Sequence, residues 1–511
     1  MQSLIGTDLL ASYLANRGSC AKLEIAWDGT NYVDESSLLV SWGVSHEATR
    51  SGAGIAAVGE STADTASATL RNVGGRFTPW YAAGSLYSYI GSGAWMGIRA
   101  KLWAGYHKGN GAAEYVQVFA GCLAGLTPTV RGQTVTLSFR DYSALMLGTR
   151  YSSPLCFNQR ADQAITNLLT LLPAANRPGS GLPAPVLDYG IYTIPVVWMH
   201  TENLWQELSL LAQAEGGRLY FSPTGALTFE NAAHLISGSH ATSVATFPIN
   251  RYADLAATTA LPDYWNKVII TYSPYVMEPL QQVWQCTDPT HMYVRAGETN
   301  TITADFTSPV VNLQALRAGT DYVAMTAGGL ICNSDVTITV TAKAQEAAIA
   351  IANTTSGATA KDLYITELRL YGRPLVMGDQ QKIELVDTAA LVTQAGEREK
   401  TISENLYIQS WAQGNGLGHY LLDLGRTPRM TLKATTIKAM PWLEIGDRVT
   451  FTEKNGATVG DGFVHRINLS QPAGSGIIMD IDALPVSDLI RSANYFQLGT
   501  SALGGTGVYW H

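Results

Sequence analysis

The sequence predicts a mainly β protein with a small α+β module, in which one chain holds two β-barrels and an inserted β-sandwich. Three observations support this fold class: β-branched and aromatic runs recur along most of the chain, helical periodicity is confined to a few segments, and one residue pattern occurs near both ends. Charged residues are only 14% of the 511, against about 25% in an average domain. Either other subunits or Ser/Thr-rich faces are therefore expected to cover much of the surface.

The predicted strands are short runs rich in Val, Ile, Thr, Phe and Tyr, each bounded by Gly, Asn, Asp or Pro. They occupy Lys22–Trp27, Ala68–Arg71, Val116–Ala120, Thr134–Phe139, Lys267–Tyr272, Asp335–Thr341, Asp362–Tyr371, Met430–Thr436 and Arg448–Thr452. Strands of this length with frequent turns are typical of sandwiches and barrels.

Helical signals are few. Leucines at helical spacing predict helices over Arg160–Leu172 and Thr201–Glu215, with Thr201 as the N-cap of the second. Two strands around Ser222–Gly225 are expected to form a hairpin directly after that helix. A last helix is predicted over Leu417–Leu424, before a glycine.

An internal resemblance indicates a duplication. Phe119 is followed by Leu, Pro and Gly at offsets of four, nine and thirteen, and Phe463 is followed by Ile, Pro and Gly at the same offsets. The strand that opens each copy also matches, since Gly97–Leu102 parallels Gly446–Phe451. We infer two copies of one barrel unit, the second ending near Leu484, with a chance match as the alternative.

The second copy is interrupted. Its early strands are expected near Asp263–Pro274, and its later ones resume around Ser403. Between them, Val283–Arg373 carries its own Thr-rich, low-charge strand series with frequent turns. An inserted immunoglobulin-like sandwich has this composition.

Several classes of protein are disfavoured. The chain has 33 basic and 41 acidic residues, and no basic run exceeds two, so it lacks the footprint of a nucleic-acid binder. The N-terminus lacks the pattern of a secretion signal, and no apolar stretch reaches the 18 or so residues that would predict a transmembrane segment. The five cysteines are widely spaced without a C-x-x-C motif, so we interpret them as small buried apolar residues.

The sequence contains no set of residues at a spacing that would predict a catalytic site. Nucleotide-binding, zinc-protease and hydrolase motifs are absent from the sequence, so no catalytic residue, cofactor or metal site is predicted. His46 and Glu47 are interpreted as an exposed polar pair, and Asp480 and Asp482 as a solvated barrel face. Arg76 is interpreted as a structural arginine packed on aromatic rings.

The segment after the last predicted strand differs from the rest. It is rich in Gly, Ser and Ala and carries two aromatic pairs, Tyr495 with Phe496 and Tyr509 with Trp510. Aromatic anchors on a flexible arm suit docking onto another chain. These four residues are therefore the candidate partner contacts, with a disordered tail as the alternative.

Three stretches together resemble the tail hub (baseplate hub, or minor tail) proteins of tailed bacteriophages. The first is KLEIAWDGTNYVDESS followed by ASATLRNVGGRFTP, which is similar to a hub opening that leads to a D/N-x-x-G-R-F/Y-[ST]-P turn. The second, WMHTENLWQELSLLAQAEGGRLYFSPTGALTFEN, resembles the helix and hairpin of the middle domain. The third, LEIGDRVTFTE with GFVHRINLS, resembles the closing barrel.

The resemblance implies a division of the chain into two tail-tube-like β-barrels and accessory parts. The expected boundaries are an N-terminal arm (1–21), the first barrel or hub domain (22–150), the α+β middle module (151–245), the second, discontinuous barrel (246–282 and 374–485), the inserted sandwich (283–373) and a C-terminal arm (486–511).

The resemblance also implies a function. A homotrimer of a two-barrel chain would form a six-barrel ring, which adapts a six-fold tail tube to a three-fold tail tip and lines the DNA exit channel during genome ejection. The implied location is the distal end of the virion tail. The implied partners are the distal tail protein ring, the C-terminus of the tape measure protein and a tail tip or central fibre protein that serves host cell attachment. A receptor- or carbohydrate-binding tail protein and, less strongly, a cell-wall hydrolase remain the alternatives.

Overall fold

The computed structural model describes residues 18–47, 63–91, 93, 95, 97–129, 133–236, 240, 242–259, 264–287, 292–388, 396–425, 430–453 and 455–485. Within these residues the chain is mainly β, with large antiparallel sheets and a few helices. The predicted fold class is therefore confirmed.

The first repeat and the middle module follow each other along the chain. The first repeat comprises β1 (Ser19–Ala26), β2 (Val33–Asp34), β3 (Leu39–Glu47), β4 (Thr65–Arg71), α1 (Tyr87–Ile90), β5 (Arg99–His107), β6 (Ala113–Thr129), β7 (Thr134–Arg140) and α2 (Ala144–Leu147). The middle module comprises β8 (Arg150–Tyr151), β9 (Cys156–Arg160), α3 (Ala161–Leu169), β10 (Val186–Leu187), β11 (Thr193–Val197), β12 (Glu202–Asn203), α4 (Leu204–Ala214), β13 (Arg218–Phe221) and β14 (Leu227–Glu230).

The second repeat is split by a long insertion. It opens with β15 (Ala245–Pro248) and β16 (Tyr252–Thr259). The insertion holds β17 (Lys267–Tyr272), β18 (Tyr275–Met277), β19 (Gln281–Gln285), β20 (Tyr293–Val294), β21 (Thr299–Asp305), β22 (Val310–Val311), β23 (Tyr322–Met325), β24 (Val336–Ala342), β25 (Glu346–Asn353), β26 (Leu363–Met377), β27 (Gln381–Val386), β28 (Glu399–Ile402) and α5 (Trp411–Gly425). The repeat then resumes with β29 (Met430–Thr436), β30 (Arg448–Thr452), β31 (Thr458–Gln471) and β32 (Ile478–Pro485).

Helix α4 illustrates how the sequence sets an element. Leu204, Leu208 and Leu211 recur at helical spacing and are buried, so one face of the helix joins the core of the middle module. The N-cap is Asn203, whose side-chain oxygen accepts from the backbone N–H of Gln206. The prediction of Thr201 as the cap is wrong, because β12 keeps the chain extended until Asn203 by pairing with β8.

The two repeats share one strand topology. Six strands of the first repeat (β1, β3, β4, β5, β6, β7) correspond in order to six of the second (β15, β16, β29, β30, β31, β32). In both sets the spatial order is second, third, sixth, fifth, fourth, first. The one difference is the first strand, since β1 is antiparallel to β5 whereas β15 is parallel to β30. An identical non-sequential order supports the duplication inferred from sequence.

The alignment of the two copies differs from the predicted one by three residues. The N–H of Leu123 donates to the carbonyl of Ile98, and the N–H of Val464 donates to the carbonyl of Asp447. Leu123 therefore corresponds to Val464, and Phe463 corresponds to Cys122 rather than to Phe119. The matching Phe–Leu–Pro–Gly spacing is a coincidence of composition.

The strands of both repeats form one continuous sheet of thirteen strands. The sheet remains open, and no closed barrel occurs among the described residues. A single apolar core contains side chains from both repeats, including Phe139 of the first and Phe451 of the second. The hydroxyl of Tyr106 reaches across and donates to the carbonyl of Ala439 at 2.5 Å. The repeats are thus one packed unit.

Strand β17 does not belong to the second repeat, contrary to the prediction for Asp263–Pro274. It pairs with β27 and β28 in a separate three-stranded sheet. Helix α5 covers this sheet closely, because Gly414 and Gly418 each lie against the side chain of Ile270. The apolar residues of β17 are buried by a helix instead of by barrel strands.

The long insertion contains a sandwich-like part, as expected. Strands β21, β25 and β24 form one sheet, and β26 pairs with β18, β19, β20, β22 and β23 on the other side. The core between them is separate from the other cores and includes Ile349 and Ile351 of β25 and Leu368 and Leu370 of β26. The sandwich-like part thus has a core of its own, whereas β17 and α5 share a core with the repeats and the middle module.

The glycine that opens the fourth strand of each repeat gives a stability prediction. Gly97 and Gly446 have φ values of +87° and +89°, which L side chains adopt at a cost of about 1–2 kcal/mol. We expect Gly97→Ala to lower the melting temperature by about 1–2 °C, measured by tryptophan fluorescence. Gly148→Ala is the matched control, because Gly148 has a φ of −93° and open space around it. An equal loss in both variants would contradict the backbone explanation.

Candidate assembly interface

The two repeats are joined by strand β3 and the second half of β31. They pair antiparallel from Trp42 opposite Gln471 to Glu47 opposite Arg466. The indole N–H of Trp42 donates to the side-chain oxygen of Gln471 at 2.8 Å. Three residue pairs further along, the hydroxyl of Ser45 donates to the side-chain oxygen of Asn468 at 2.7 Å. This joint fuses two sheets into one.

Strand β3 has two different faces because its side chains alternate. Trp42, Val44 and His46 are buried, whereas Ser41 and Ser45 are only half-buried on the other face. The interpretation of His46 as part of an exposed polar pair is therefore wrong. His46 lies in the core side of the joint, where alternation alone would place an apolar residue.

His46 is held by two acceptors. Its Nδ1 lies 2.6 Å from an oxygen of Asp64, and its Nε2 lies 2.7 Å from the carbonyl oxygen of Val118. With Asp64 ionised, both contacts are hydrogen bonds when both ring nitrogens carry protons, that is, when the ring is an imidazolium. Burial by itself lowers the pKa of His46, but the charge and hydrogen bond of Asp64 outweigh burial and raise it. The cation thereby links β3 to β6.

A second buried carboxyl group lies behind Asp64. Asp141 accepts from the backbone N–H of Asp64 at 2.8 Å and from the hydroxyl of Ser143. Burial first, and the nearby charge of Asp64 second, raise the pKa of Asp141. Because both ring nitrogens of His46 are engaged, this cluster holds strands of the first repeat together.

The face of the sheet opposite the core carries hydroxyl groups in the first repeat. Its residues alternate with the core residues of β3, β4, β6 and β7 and lie opposite one another across strands. We call this surface the hydroxyl face: Ser41, Gly43, Ser45, Thr65, Ser67, Thr69, Gly125, Thr127, Thr129, Thr134, Thr136 and Ser138. The same alternation also places Glu47, Arg71 and Arg140 at the ends of this face.

The same face continues across the joint into the second repeat, where charges of both signs appear. It consists there of Asp254, Ala256, Thr258, Thr431, Lys433, Thr435, Arg466, Asn468, Ser470, Ile478, Asp480 and Asp482. Asp480 accepts from the hydroxyl of Thr435, and Asp482 lies 3.8 Å from Arg466. The predicted solvated barrel face at Asp480 and Asp482 agrees with this arrangement.

Among the described residues several strands of the sheet have an uncovered edge, including β2 and β15, and two of the uncovered edges correspond to the strands of the joint. One is the outer edge of β16, which pairs only with β29. The other is the second half of β6, since β5 covers only Ala113–Cys122 and the rest of β6 pairs with β7 alone. An uncovered edge presents free N–H and C=O groups to another chain.

Neither of the strand segments that form these two edges was predicted from the sequence. Strand β16 is the run YADLAATT, which contains three alanines and one aspartate. Alanine and aspartate are depleted in strands, so composition gives no strand signal there. The recurrence of six strands in the second repeat was the signal that could have located it.

Arg76 has the structural role predicted for it. Its guanidinium lies 5.6 Å from the ring centroid of Phe77, and its Nη2 contacts the carboxylate of Glu35 at 2.5 Å. The indole N–H of Trp27 donates to the same oxygen of Glu35 at 2.9 Å. The N-x-x-G-R-F turn thus fixes a buried carboxylate in the first repeat.

The remaining predictions concern the C-terminal aromatic pairs, the cysteines, metal sites and membrane-spanning segments. Tyr495, Phe496, Tyr509 and Trp510 lie outside the described residues. The cysteines are free, with Cys156 half-buried and the rest buried. In the described part of the chain, no three His, Cys, Asp or Glu side chains group closely enough to hold a metal ion. Each helix there is too short or too polar to span a bilayer.

Comparisons with known proteins give matches in structure only. No protein-family model matches the sequence, and no curated protein matches it. The fold is similar to the tail protein from Neisseria meningitidis MC58, with a TM-score of 0.49, 11% identity, and coverage of 92% of this chain and 98% of that one.

Two further similar structures are prophage proteins. The 43 kDa tail protein of prophage MuSo2 from Shewanella oneidensis has a TM-score of 0.47 and 11% identity, covering 92% of this chain and 99% of that one. The prophage tail protein gp18 from Listeria monocytogenes EGD-e has a TM-score of 0.40 and 9% identity, covering 93% and 97%. These neighbours are phage tail proteins, the class that the sequence resembles. Because their TM-scores lie below 0.5, the role of this chain is argued from its own strand pairing.

The buried histidine predicts a pH dependence of stability. A histidine whose pKa is raised in the folded state contributes stability that is complete below about pH 6.5 and is lost as pH rises through the folded pKa. A carboxyl with a raised pKa, as at Asp141, likewise favours the folded state only below its folded pKa. We therefore expect the melting temperature to fall between about pH 6 and about pH 8.

Variants separate this effect from general pH effects. His46→Gln should lower the melting temperature at pH 6 and flatten its pH dependence, because the titrating cation is gone. His107→Gln is the control, since His107 is exposed and should keep the slope of the parent protein. A His46→Gln variant with an unchanged slope would contradict the assignment.

Proposed function

We propose that this chain is a structural hub of a phage tail, which forms a homotrimeric ring at the distal end of the tail. The ring would adapt a six-fold tail tube to a three-fold tip and line the exit channel for DNA during genome ejection. Its partners would be the distal tail protein ring, the C-terminus of the tape measure protein and a tail tip or central fibre protein.

The observation that carries the proposal is the pairing of β3 with β31. One chain uses it to join two copies of the same six-stranded unit edge to edge, from Trp42–Gln471 to Glu47–Arg466. A ring of repeats needs such a joint at every boundary. Three chains would supply six repeats, with three joints inside chains and three between them.

The hydroxyl face is the candidate channel lining. The opposite face of the sheet is packed against the core, so a closed ring has the hydroxyl face free to line a lumen. Hydroxyl groups without clustered cations would give passing phosphates no counter-charge to bind. On this proposal the centre of the lining is neutral and its cations are few: Arg71 and Arg140 in the first repeat, and Lys433 and Arg466 opposite Asp482 in the second.

Solution mass and electron microscopy test the proposal. We expect the purified chain to have three times its mass of 54.8 kDa by light scattering, and to appear as a three-fold ring with six lobes around a channel. A monomer across the micromolar range, or an oligomer without a channel, would contradict it. Binding of host glycans by such a monomer would favour the receptor-binding alternative, and release of peptidoglycan fragments would favour the hydrolase.

A further inference from the structure

We propose that β16 of one copy pairs antiparallel with the Leu123–Thr129 half of β6 in a second copy, repeating between chains the pairing of β3 with β31 within one chain. The inference deepens the proposed ring and rests on it. It follows from the correspondence of strands between the repeats, which fixes both the partner and the register.

The first step is that β3 and β16 are equivalent strands. Each is the second strand of its repeat and pairs with the third. Each also has a register shift near its start, between Leu39 and Ser41 in β3 and between Tyr252 and Asp254 in β16. The shifts place Ser45 of β3 in the position of Thr258.

The second step is that β6 and β31 are equivalent strands. Both are long, and both shift register against the sixth strand, between Leu123 and Gly125 in β6 and between Val464 and Arg466 in β31. Counting on from these shifts, Asn468 of β31 corresponds to Thr127. The half of β31 that binds β3 therefore corresponds to the half of β6 that no described strand covers.

Both edges are nearly free of charge, although the β6 half carries Pro128, a residue type that blunts edge strands. In β16, Ala256, Ala257 and Thr258 are exposed, and the strand carries a single charged residue, Asp254. Thr127 and Thr129 of β6 are exposed as well. Natural edge strands that must stay free carry lysines, inward charges or bulges facing out. A neutral edge of small residues is instead suited to pairing.

The two edges cannot pair within one chain. Six strands of the sheet separate β16 from β6, namely β29, β32, β31, β3, β4 and β7. At about 4.8 Å for each step, the two strands lie about 34 Å apart across the sheet. Each copy thus offers both halves of a head-to-tail contact, and contacts of this kind close into rings when the rotation permits.

The internal joint fixes the expected register. Ser45 lies opposite Asn468, so Thr258 should lie opposite Thr127, and Ala256 opposite Thr129. The carbonyl of Leu469 points towards β3, since its oxygen lies 3.7 Å from the Cβ position of Gly43. Pro128 takes the position of Leu469, so its missing N–H would face the second copy. The joint between chains would therefore have one hydrogen bond fewer than the internal joint.

Engineered disulfides test the register. Ser45–Asn468 lies between two hydrogen-bonded pairs, where Cα atoms approach to about 4.5 Å and a disulfide fits. We expect Thr127→Cys with Thr258→Cys to form disulfide-linked dimers and trimers on non-reducing gels, while the parent chain, whose cysteines are buried or half-buried, forms none. Ser45→Cys with Asn468→Cys is the positive control, which should link within one chain without added mass.

The shifted control is Thr127→Cys with Ala256→Cys, which moves one cysteine two residues along β16. It should link at least tenfold more slowly, because the two Cα atoms would no longer face each other. Equal linking in both double variants, or linking of Thr127 to Thr258 within one chain, would overturn the inference. A trimer by light scattering without the disulfide would overturn the register and leave the proposed ring intact, whereas a monomer without the disulfide would overturn both.

Single lysines give an independent measurement. Ala257→Lys places a charge in the exposed edge of β16 and should lower the trimer fraction at least tenfold at fixed concentration. Thr339→Lys is the matched control, because Thr339 is exposed in β24, an edge strand of the insertion that pairs with β25 alone among the described residues. Equal trimer fractions in the two variants would contradict a role of the β16 edge.

Discussion

The antiparallel pairing of β3 with β31 is the constraint on which the rest of the structure depends. It turns two six-stranded units into one sheet, and it brings their apolar faces into a single core. Without this joint each repeat would have an edge open to aggregation. With it, the edges of the described chain that correspond to the joint and stay uncovered are those of β16 and of the outer half of β6.

The joint also explains the position of the buried charges. His46 lies on β3 and donates to Asp64 and to the carbonyl of Val118, so the same strand that binds the second repeat is tied to β6 of the first. An imidazolium held by a carboxylate and a carbonyl is specific in geometry, because each partner must be at hydrogen-bond distance. The cluster thereby positions the joint.

The low charge of the sequence has a structural origin in the sheet. In the first repeat, the face away from the core carries mostly Ser, Thr and Gly, with Glu47, Arg71 and Arg140 at the ends of its strands. The sequence left two explanations of the low charge open, namely a surface covered by other subunits and faces rich in Ser and Thr. The hydroxyl face supports the second explanation directly. The two explanations are compatible if the hydroxyl face lines a channel inside an assembly.

Much of the local structure was predictable because it depends on neighbours in sequence. Strands such as Met430–Thr436 and Arg448–Thr452 have the predicted bounds, since β-branched residues and turn residues act locally. Helix α5 begins earlier than predicted, at Trp411, because Gly414, Gly416 and Gly418 weaken the helical signal while close packing on β17 compensates for them.

The sequence by itself determined the fold class, the presence of a repeat and the absence of familiar catalytic motifs. The tertiary structure decided the alignment of the repeats, the sheet to which β17 belongs, the burial of His46 and the free edges. These depend on hydrogen bonds between strands hundreds of residues apart, such as Ser45 with Asn468. Residue spacing along the chain carries no record of such pairing, since a shift of a few residues leaves composition and periodicity almost unchanged.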